Sequence, residues 1–524
     1  MNNNIPYNQT TNNNISGPNY IHNDSGAYNT TIPPYAVNKF TVRQEDAATL
    51  DFRDKMARKL GLGSLIYAFI FTICLYNNLT GITMPIFGIA TIIYMVYALK
   101  LYDIKIKKLS WFYASVFMAL TISNFLTGNI TIQLFNLVGI IFMIFIFLLH
   151  NVYDDARWNF SKTTLACIES FFYSIGAMDD FAKDMRVRHT RSKEENIESS
   201  KKSKIKYVLL GLVISIPVTG IILILLSEAD KVFNVFLSEY LSFDIQIGTV
   251  IGIIITFAIS FFGSYCILRF FSKKVIKEEV TDKRSLEPII AITVLSIISV
   301  IYLIFSVIQI LYLFWGGMKL PENYTYAQYA REGFFQLLAV SIINFMIVLF
   351  VNNHFRENLL LKILMTIISI CTYIMIASSC MRMLLYIDAY LLTTLRILVL
   401  WGLAVLSILF IAVIISIYKH SFPLFRYSII VVSILYLLLG FAHPDYIIAS
   451  YNLSHMENDI KSKKISQDYE YLTNLSSDAA PAIYSYKEQW ADQYFNNNSY
   501  CCTDKSIRKF NLSAYTFKTL KEYR

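Results

Sequence analysis

Eleven runs of about twenty apolar residues dominate the chain, and no other feature restricts its fold as much. They fall at 61–77, 81–99, 109–127, 131–150, 206–227, 246–271, 287–313, 333–352, 359–381, 391–417 and 426–443. Each approaches the ~20 residues that a helix needs to cross a ~30 Å hydrocarbon core. In that medium the backbone must satisfy its own hydrogen bonds, so these runs are expected to be helices. Composition agrees: 55% of residues are hydrophobic and 16% charged, too apolar for a soluble chain of 524 residues. The expected fold is an all-α, polytopic transmembrane helix bundle.

The punctuation between the runs divides the chain. Residues 1–50 are rich in Asn, Thr and Tyr and read as a disordered polar tail, without the charged start and apolar run of a signal peptide. Four short spans in 51–150 form two hairpins, the first turning at Asn77-Asn78-Leu79-Thr80-Gly81. A basic connection follows at 151–205, then the main seven-helix bundle at 206–443 and a helical segment at 444–524. The net charge of +9 sits largely in alternate loops, as with Lys100, Lys105, Lys107 and Lys108, or Lys273, Lys274, Lys277, Lys283 and Arg284. That alternation is a membrane-orientation pattern, not a nucleic-acid footprint, and it places the N-terminus in the cytoplasm and the C-terminal segment outside.

Within 151–205, Leu165, Ile168, Phe172 and Ile175 recur at helical spacing ahead of a basic run. The pattern fits an amphipathic helix at the inner surface, with its cations against anionic lipid, or a docking helix for another protein. The segment 444–524 balances its charges. Ser477 and Asp478 are candidate caps for a helix entered through Ala479-Ala480-Pro481, with Ile483, Tyr486, Trp490 and Tyr494 on one face. A second apolar stripe is expected at Ile507, Phe510 and Leu512.

Four strings carry a family resemblance: LSEADKVF (226–233), YLFWGGMKLPENYTYAQYAREGFFQLL (312–338), RMLLYIDAYLLTTLR (382–396) and YLTNLSSDAAPAI (471–483). Over roughly 60–490 the chain resembles the bacterial membrane family called domain of unknown function 4173, a relative of domain of unknown function 4153. The resemblance implies an integral membrane protein and brings no activity with it. Where that pattern has Gly after Tyr390, this chain has Leu391.

Candidate functional residues are the charges near membrane depth, which are costly there unless paired or hydrated. Glu228, Asp230, Arg331, Glu332, Arg382, Asp388 and Arg396 all fall at the outer side of the expected bundle. They read either as an ion-pair clamp around Arg396 or as a ligand or ion site. Gln309, Gln336 and Asn344 are the intramembrane amides, whose usual role is hydrogen bonding between helices. Asp154-Asp155 and Asp179-Asp180 read as solvated helix faces, and Cys74, Cys266, Cys371 and Cys380 as buried small hydrophobes.

Metalloprotease, phosphate-loop and nucleophile-elbow motifs are missing, and neither a metal nor a cofactor is implied. Three function classes remain, with a transporter or channel ranked first, a signalling or envelope-assembly subunit second and a membrane enzyme third. A transporter or channel needs a wet cavity joining the outer charges to Gln309 and Asn344. A signalling or envelope-assembly subunit would instead show a dry bundle and use its tail as a partner surface. A membrane enzyme would need converging carboxylates in an outer cleft.

Overall fold

The computed structural model describes residues 46–155, 158, 160–198, 222, 226, 247–276, 278, 284–311, 333–419, 422–459, 466–502 and 506–524. Within them the chain is helical. α1 (Ala47–Leu75) and α2 (Thr83–Leu101) form one hairpin, α3 (Ser110–Leu126) and α4 (Ile130–Val152) the next. α5 (Phe160–Gly176) and α6 (Met178–Glu198) follow, then α7 (Ile247–Ser272), α8 (Pro288–Gln309), α9 (Phe334–His354), α10 (Leu359–Tyr390), α11 (Thr394–Tyr418) and α12 (Leu424–Phe441). The C-terminal segment is α13 (Pro444–Asp459), α14 (Ser466–Thr473), the single turn α15 (Ala480–Ile483), α16 (Gln489–Asn497) and α17 (Leu512–Tyr523).

Nine helices among the described residues are long and apolar enough to span a membrane, and α3, at 17 residues, falls just short. Ten of the eleven expected runs thus meet a helix here, and 206–227, with Pro217 and Gly220, lies outside the described residues except for Ile222 and Leu226. The protein is an all-α, multi-pass membrane bundle. Local sequence explains several helix limits. Pro288 opens α8, where a missing N–H costs nothing. Asn129 caps α4 by accepting from the Ile132 N–H at 3.0 Å. α1 carries a π-turn at Met56–Leu60.

Two apolar cores divide the bundle. One joins α1 to α4 with α5 and α7, through residues such as Phe87, Phe117 and Phe271. The other joins α8 to α11 with the C-terminal helices, through Phe410, Ile448 and Ile483. α12 touches both, giving Phe425 and Ile429 to the first and Leu424 to the second.

The loops also sort into two faces. On one, the hairpin turns at 77–82 and 127–129 meet the C-terminal helices (the tail face). On the other lie the basic connections, such as the one carrying Lys107, whose N–H donates to Asn151 Oδ1 at 3.0 Å (the basic face).

Several local expectations are corrected. α10 runs nine residues past the expected limit at 381, to Tyr390, which puts Arg382 inside a continuous helix. Ser476, not Ser477 or Asp478, caps the turn before α15, accepting from the Asp478 N–H at 3.4 Å. The single face expected over 483–494 is split between α15 and α16. Ile507, Phe510 and Leu512 do not form a buried stripe; Ile507 is 85% exposed, and Phe517 fills the core instead.

Candidate functional site

The interior amides are used up within the bundle. Tyr302 of α8 donates to Asn344 Oδ1 at 2.8 Å, and Asn344 Nδ2 donates to Thr372 Oγ1 of α10 at 2.9 Å. Ser378 of α10 donates to Gln309 Oε1 at 2.6 Å. These are interhelical clasps that tie α8, α9 and α10 together. Gln336 stands apart from them on an exposed face of α9.

Of the seven outer charges, Glu228, Asp230, Arg331 and Glu332 lie outside the described residues. Arg382 is buried, its guanidinium against Gly333, where a Cβ would approach Nη1 to 3.0 Å. Asp388 is exposed at the end of α10. Arg396 sits in the first turn of α11. Its Nη1 donates to the Tyr390 carbonyl at 2.6 Å and to that of Leu391, while its guanidinium lies 4.2 Å from the Tyr386 ring centroid. Among the described residues no carboxylate pairs with it. Arg396 holds the end of α10 by capping carbonyls, which suits a cation at a helix C-terminus.

That corner is strained. Leu391 has φ 63° and ψ −177°, a region favourable only to glycine. Neighbouring bonds hold it. Asn452 Oδ1 accepts the Leu392 N–H at 2.8 Å, Asn452 Nδ2 donates to the Leu392 carbonyl at 2.9 Å, and the Tyr471 hydroxyl takes the Thr394 N–H at 2.9 Å.

The tail face carries a site that the charge inventory missed. Thr127, Gly128 and Asn129 form the turn between α3 and α4, and Gly128 is needed there because a Cβ would collide with Ser477 Oγ. The turn closes on Asp478, whose side chain is fully buried: Thr127 Oγ1 donates to Oδ2 at 2.5 Å and the Gly128 N–H to Oδ1 at 2.8 Å. His443 Nδ1 lies 3.4 Å from Asp478 Oδ2. His443 is also in the left-handed region, φ 49°, and its carbonyl accepts the Tyr446 N–H at 2.9 Å to start α13. Nearby, Asp445 Oδ2 accepts the Ser476 N–H at 3.0 Å, and Ser477 and Ser513 share a 2.7 Å hydroxyl bond.

Electrostatics follows from these contacts. Burial pushes the Asp478 carboxyl up, but hydrogen bonds from His443, Ser513, Thr127 and Gly128 outweigh it and leave the pKa below the ordinary value. The bond to Asp478 raises His443 against the opposing effect of burial. Asp445 is raised, chiefly by burial. His443, Asp478, Ser477 and Ser513 line a cavity of about 320 Å³ with Tyr446 and Thr516. An Asp–His pair on such a wall can hold or move a proton near neutral pH.

Asn511 completes the junction. Its Nδ2 donates to the carbonyls of Thr80 at 3.0 Å and Thr127 at 3.1 Å, and the Ile82 N–H donates to the Phe510 carbonyl at 2.8 Å. Both hairpin turns are therefore hydrogen bonded to the C-terminal segment. A sequence signal did exist: Asp478 lies within YLTNLSSDAAPAI, an acidic residue amid small apolar ones.

The basic face carries a second buried junction. Asp184 of α6, fully buried, accepts Arg53 Nη1 at 2.9 Å, Arg269 Nε at 2.7 Å and the Tyr265 hydroxyl at 2.9 Å. Asp180 meets Lys273 at 2.5 Å. Asp155 meets His150 at 2.9 Å and Arg426 at 2.7 Å; burial raises its carboxyl, but these partners leave it below its usual value. Asp155 and Asp180 are thus not the solvated faces expected of them, because tertiary packing brings cations from other helices onto them. Asp154 and Asp179 remain exposed.

The family model described as "Domain of unknown function (DUF4153)" matches residues 114–486, which is most of the chain. This corrects the resemblance to domain of unknown function 4173: the match is to the related family itself. No curated protein and no solved structure matches the chain.

Proposed function

We propose, from the premise that this chain belongs to the family domain of unknown function 4153, that it is an envelope-assembly or signalling subunit of a bacterial cytoplasmic membrane. In this reading it crosses the membrane eleven times, with the N-terminus in the cytoplasm and the C-terminal segment outside. The carrying observation is the junction at Asp478 and Asn511, which fixes the C-terminal helices to the turns of both N-terminal hairpins. A conduit needs a wet path, whereas Gln309 and Asn344 are consumed in clasps and the seams between described helices are apolar. A rigidly held outer module is instead suited to presenting a surface, and Ile507 and Tyr523 are its most exposed large apolar side chains, at 85% and 77%.

The basic connection supports the same orientation. On α5, Leu165, Ile168, Phe172 and Ile175 are 50%, 50%, 62% and 65% exposed, while Ala166, Cys167 and Ser170 face the bundle. That stripe, with the basic run of Arg186, Arg188, Arg191 and Lys193 in the middle of α6, suits an anionic inner leaflet.

Photo-crosslinkers at Ile507 and Tyr523 in cells test the role. Discrete protein adducts, lost when Asp478→Ala frees the tail, are expected. No adduct at either position, together with solute flux through reconstituted vesicles, would overturn it. That flux would favour transport, the second reading, for which the buried Arg382 beside Gly333 is the supporting observation.

A further inference from the structure

A cavity of about 470 Å³ runs along the seam between the two cores. α12 floors it with Phe425, Ile429, Val432, Tyr436 and Leu439; α3 and α4 form one wall, and α11 the other. From Phe425 to Leu439 the groove follows α12 for about 21 Å, at ~1.5 Å per residue. That exceeds half of a ~30 Å hydrocarbon core. Val138, on the lip, is 59% exposed, so the groove opens where lipid chains surround the bundle.

Two further observations identify the occupant. Trp401 lies on the α11 wall, and its indole N–H is buried with no hydrogen-bond partner among the described residues. A buried donor left unmade is costly, so an acceptor belongs there. In addition, the groove face of α12 continues one turn beyond Leu439 to Ala442 and His443, which line the polar tail-face cavity. α3 is shared in the same way, through Leu120 in the groove and Leu126 in the cavity.

We propose that the seam and the tail-face cavity together form one binding site for a bilayer glycerolipid. Its acyl chain lies along α12, an ester carbonyl accepts from Trp401, and a headgroup bearing hydroxyl or ammonium hydrogens meets the hydroxyls of Tyr446 and Thr516 on the cavity wall. A protein helix, ~10–12 Å across, does not fit a groove of this volume and length. A small soluble ligand leaves most of the apolar length unfilled. The Tyr446 and Thr516 hydroxyls on the cavity wall can accept from a headgroup that donates.

The test uses the full-length chain reconstituted with phosphatidylethanolamine or with phosphatidylcholine, whose headgroup has no N–H or O–H to donate. A variant keeping only Trp401 among the tryptophans reports quenching by chain-brominated lipid, and native mass spectrometry counts lipid retained through delipidation. Quenching of Trp401 is expected, with one retained phosphatidylethanolamine held at least fivefold over phosphatidylcholine. Ser433→Phe, which fills the groove, is expected to cut retention at least fivefold, while Ile301→Phe on an exposed face of α8 leaves it unchanged. Equal retention in the Ser433 and Ile301 variants overturns the proposal, as does an unquenched Trp401, a measurement that stands even if the Ser433 variant does not fold. Equal retention of the two lipids overturns the headgroup assignment.

Discussion

The two faces of the bundle solve one problem with different chemistry. Each must join segments distant in sequence, and each does so around a fully buried aspartate. On the basic face Asp184 is compensated by full charges, the guanidiniums of Arg53 and Arg269. On the tail face Asp478 is held mainly by neutral donors, the Thr127 hydroxyl and the Gly128 N–H, with His443 half-exposed beside it. The first junction fails if one partner is removed, because uncompensated charge remains in the interior. The second fails more gently and responds to pH, since its cationic partner among the described residues is a histidine.

The largest effect is expected at Asp184. Asp184→Ala should cost about 3–5 kcal/mol by stranding two buried guanidiniums, read as a drop in thermal midpoint in detergent. Adding Arg53→Met and Arg269→Met should restore much of it. An unchanged midpoint in the single variant would show that the basic face is not held by charge.

Asp478→Ala should cost about 3 kcal/mol, from two or more charge-assisted bonds at ~1.5–3 kcal/mol each. The loss should be local, seen as faster proteolysis of the C-terminal segment while the bundle's midpoint moves less. Asn511→Ala, which takes the donor from the Thr80 carbonyl and leaves the Thr127 carbonyl with Gln133, should loosen the same segment by about 1–3 kcal/mol. Equal loosening of both faces in either variant would break the distinction between the junctions.

The pH dependence sharpens it. Asp478 is lowered, so its contribution is present above the unfolded carboxylate pKa of ~3.9 and lost as pH falls through the still lower folded value. His443 is raised, so its contribution is present below ~6.5 and lost as pH rises through the folded value. Asp445, also raised, favours its neutral form when folded and likewise contributes less as pH rises. Protection of the C-terminal helices against hydrogen exchange, taken relative to the intrinsic rate at each pH, should be greatest between about pH 4 and 6.5. His443→Gln should flatten the alkaline limb without changing exchange around Asp184.

The smallest effect is expected at Leu391. Leu391→Gly relieves a backbone conformation costing ~1–3 kcal/mol and adds unfolded-state entropy of ~0.5–1 kcal/mol, for a net gain of about 1 kcal/mol. A loss of stability would mean that the side chain's packing outweighs the strain.

The sequence by itself determined the elements that depend on local hydrophobicity. Apolar runs must bury their backbone bonds in helices wherever they lie, so the spans, the hairpin turns and the apolar stripe at Leu165, Ile168, Phe172 and Ile175 were all legible. Alternating Lys and Arg separated the faces for the same reason. Tertiary structure alone decided which polar groups meet. Asp478 and Gly128 are 350 positions apart, and Asp184 and Arg53 are 131 apart; no local spacing encodes such pairs. Arg396 shows it too, because the Tyr390 carbonyl that its guanidinium meets at the end of α10 cannot be read from a count of charges. A charge is a property of one residue, but its partner is a property of the fold.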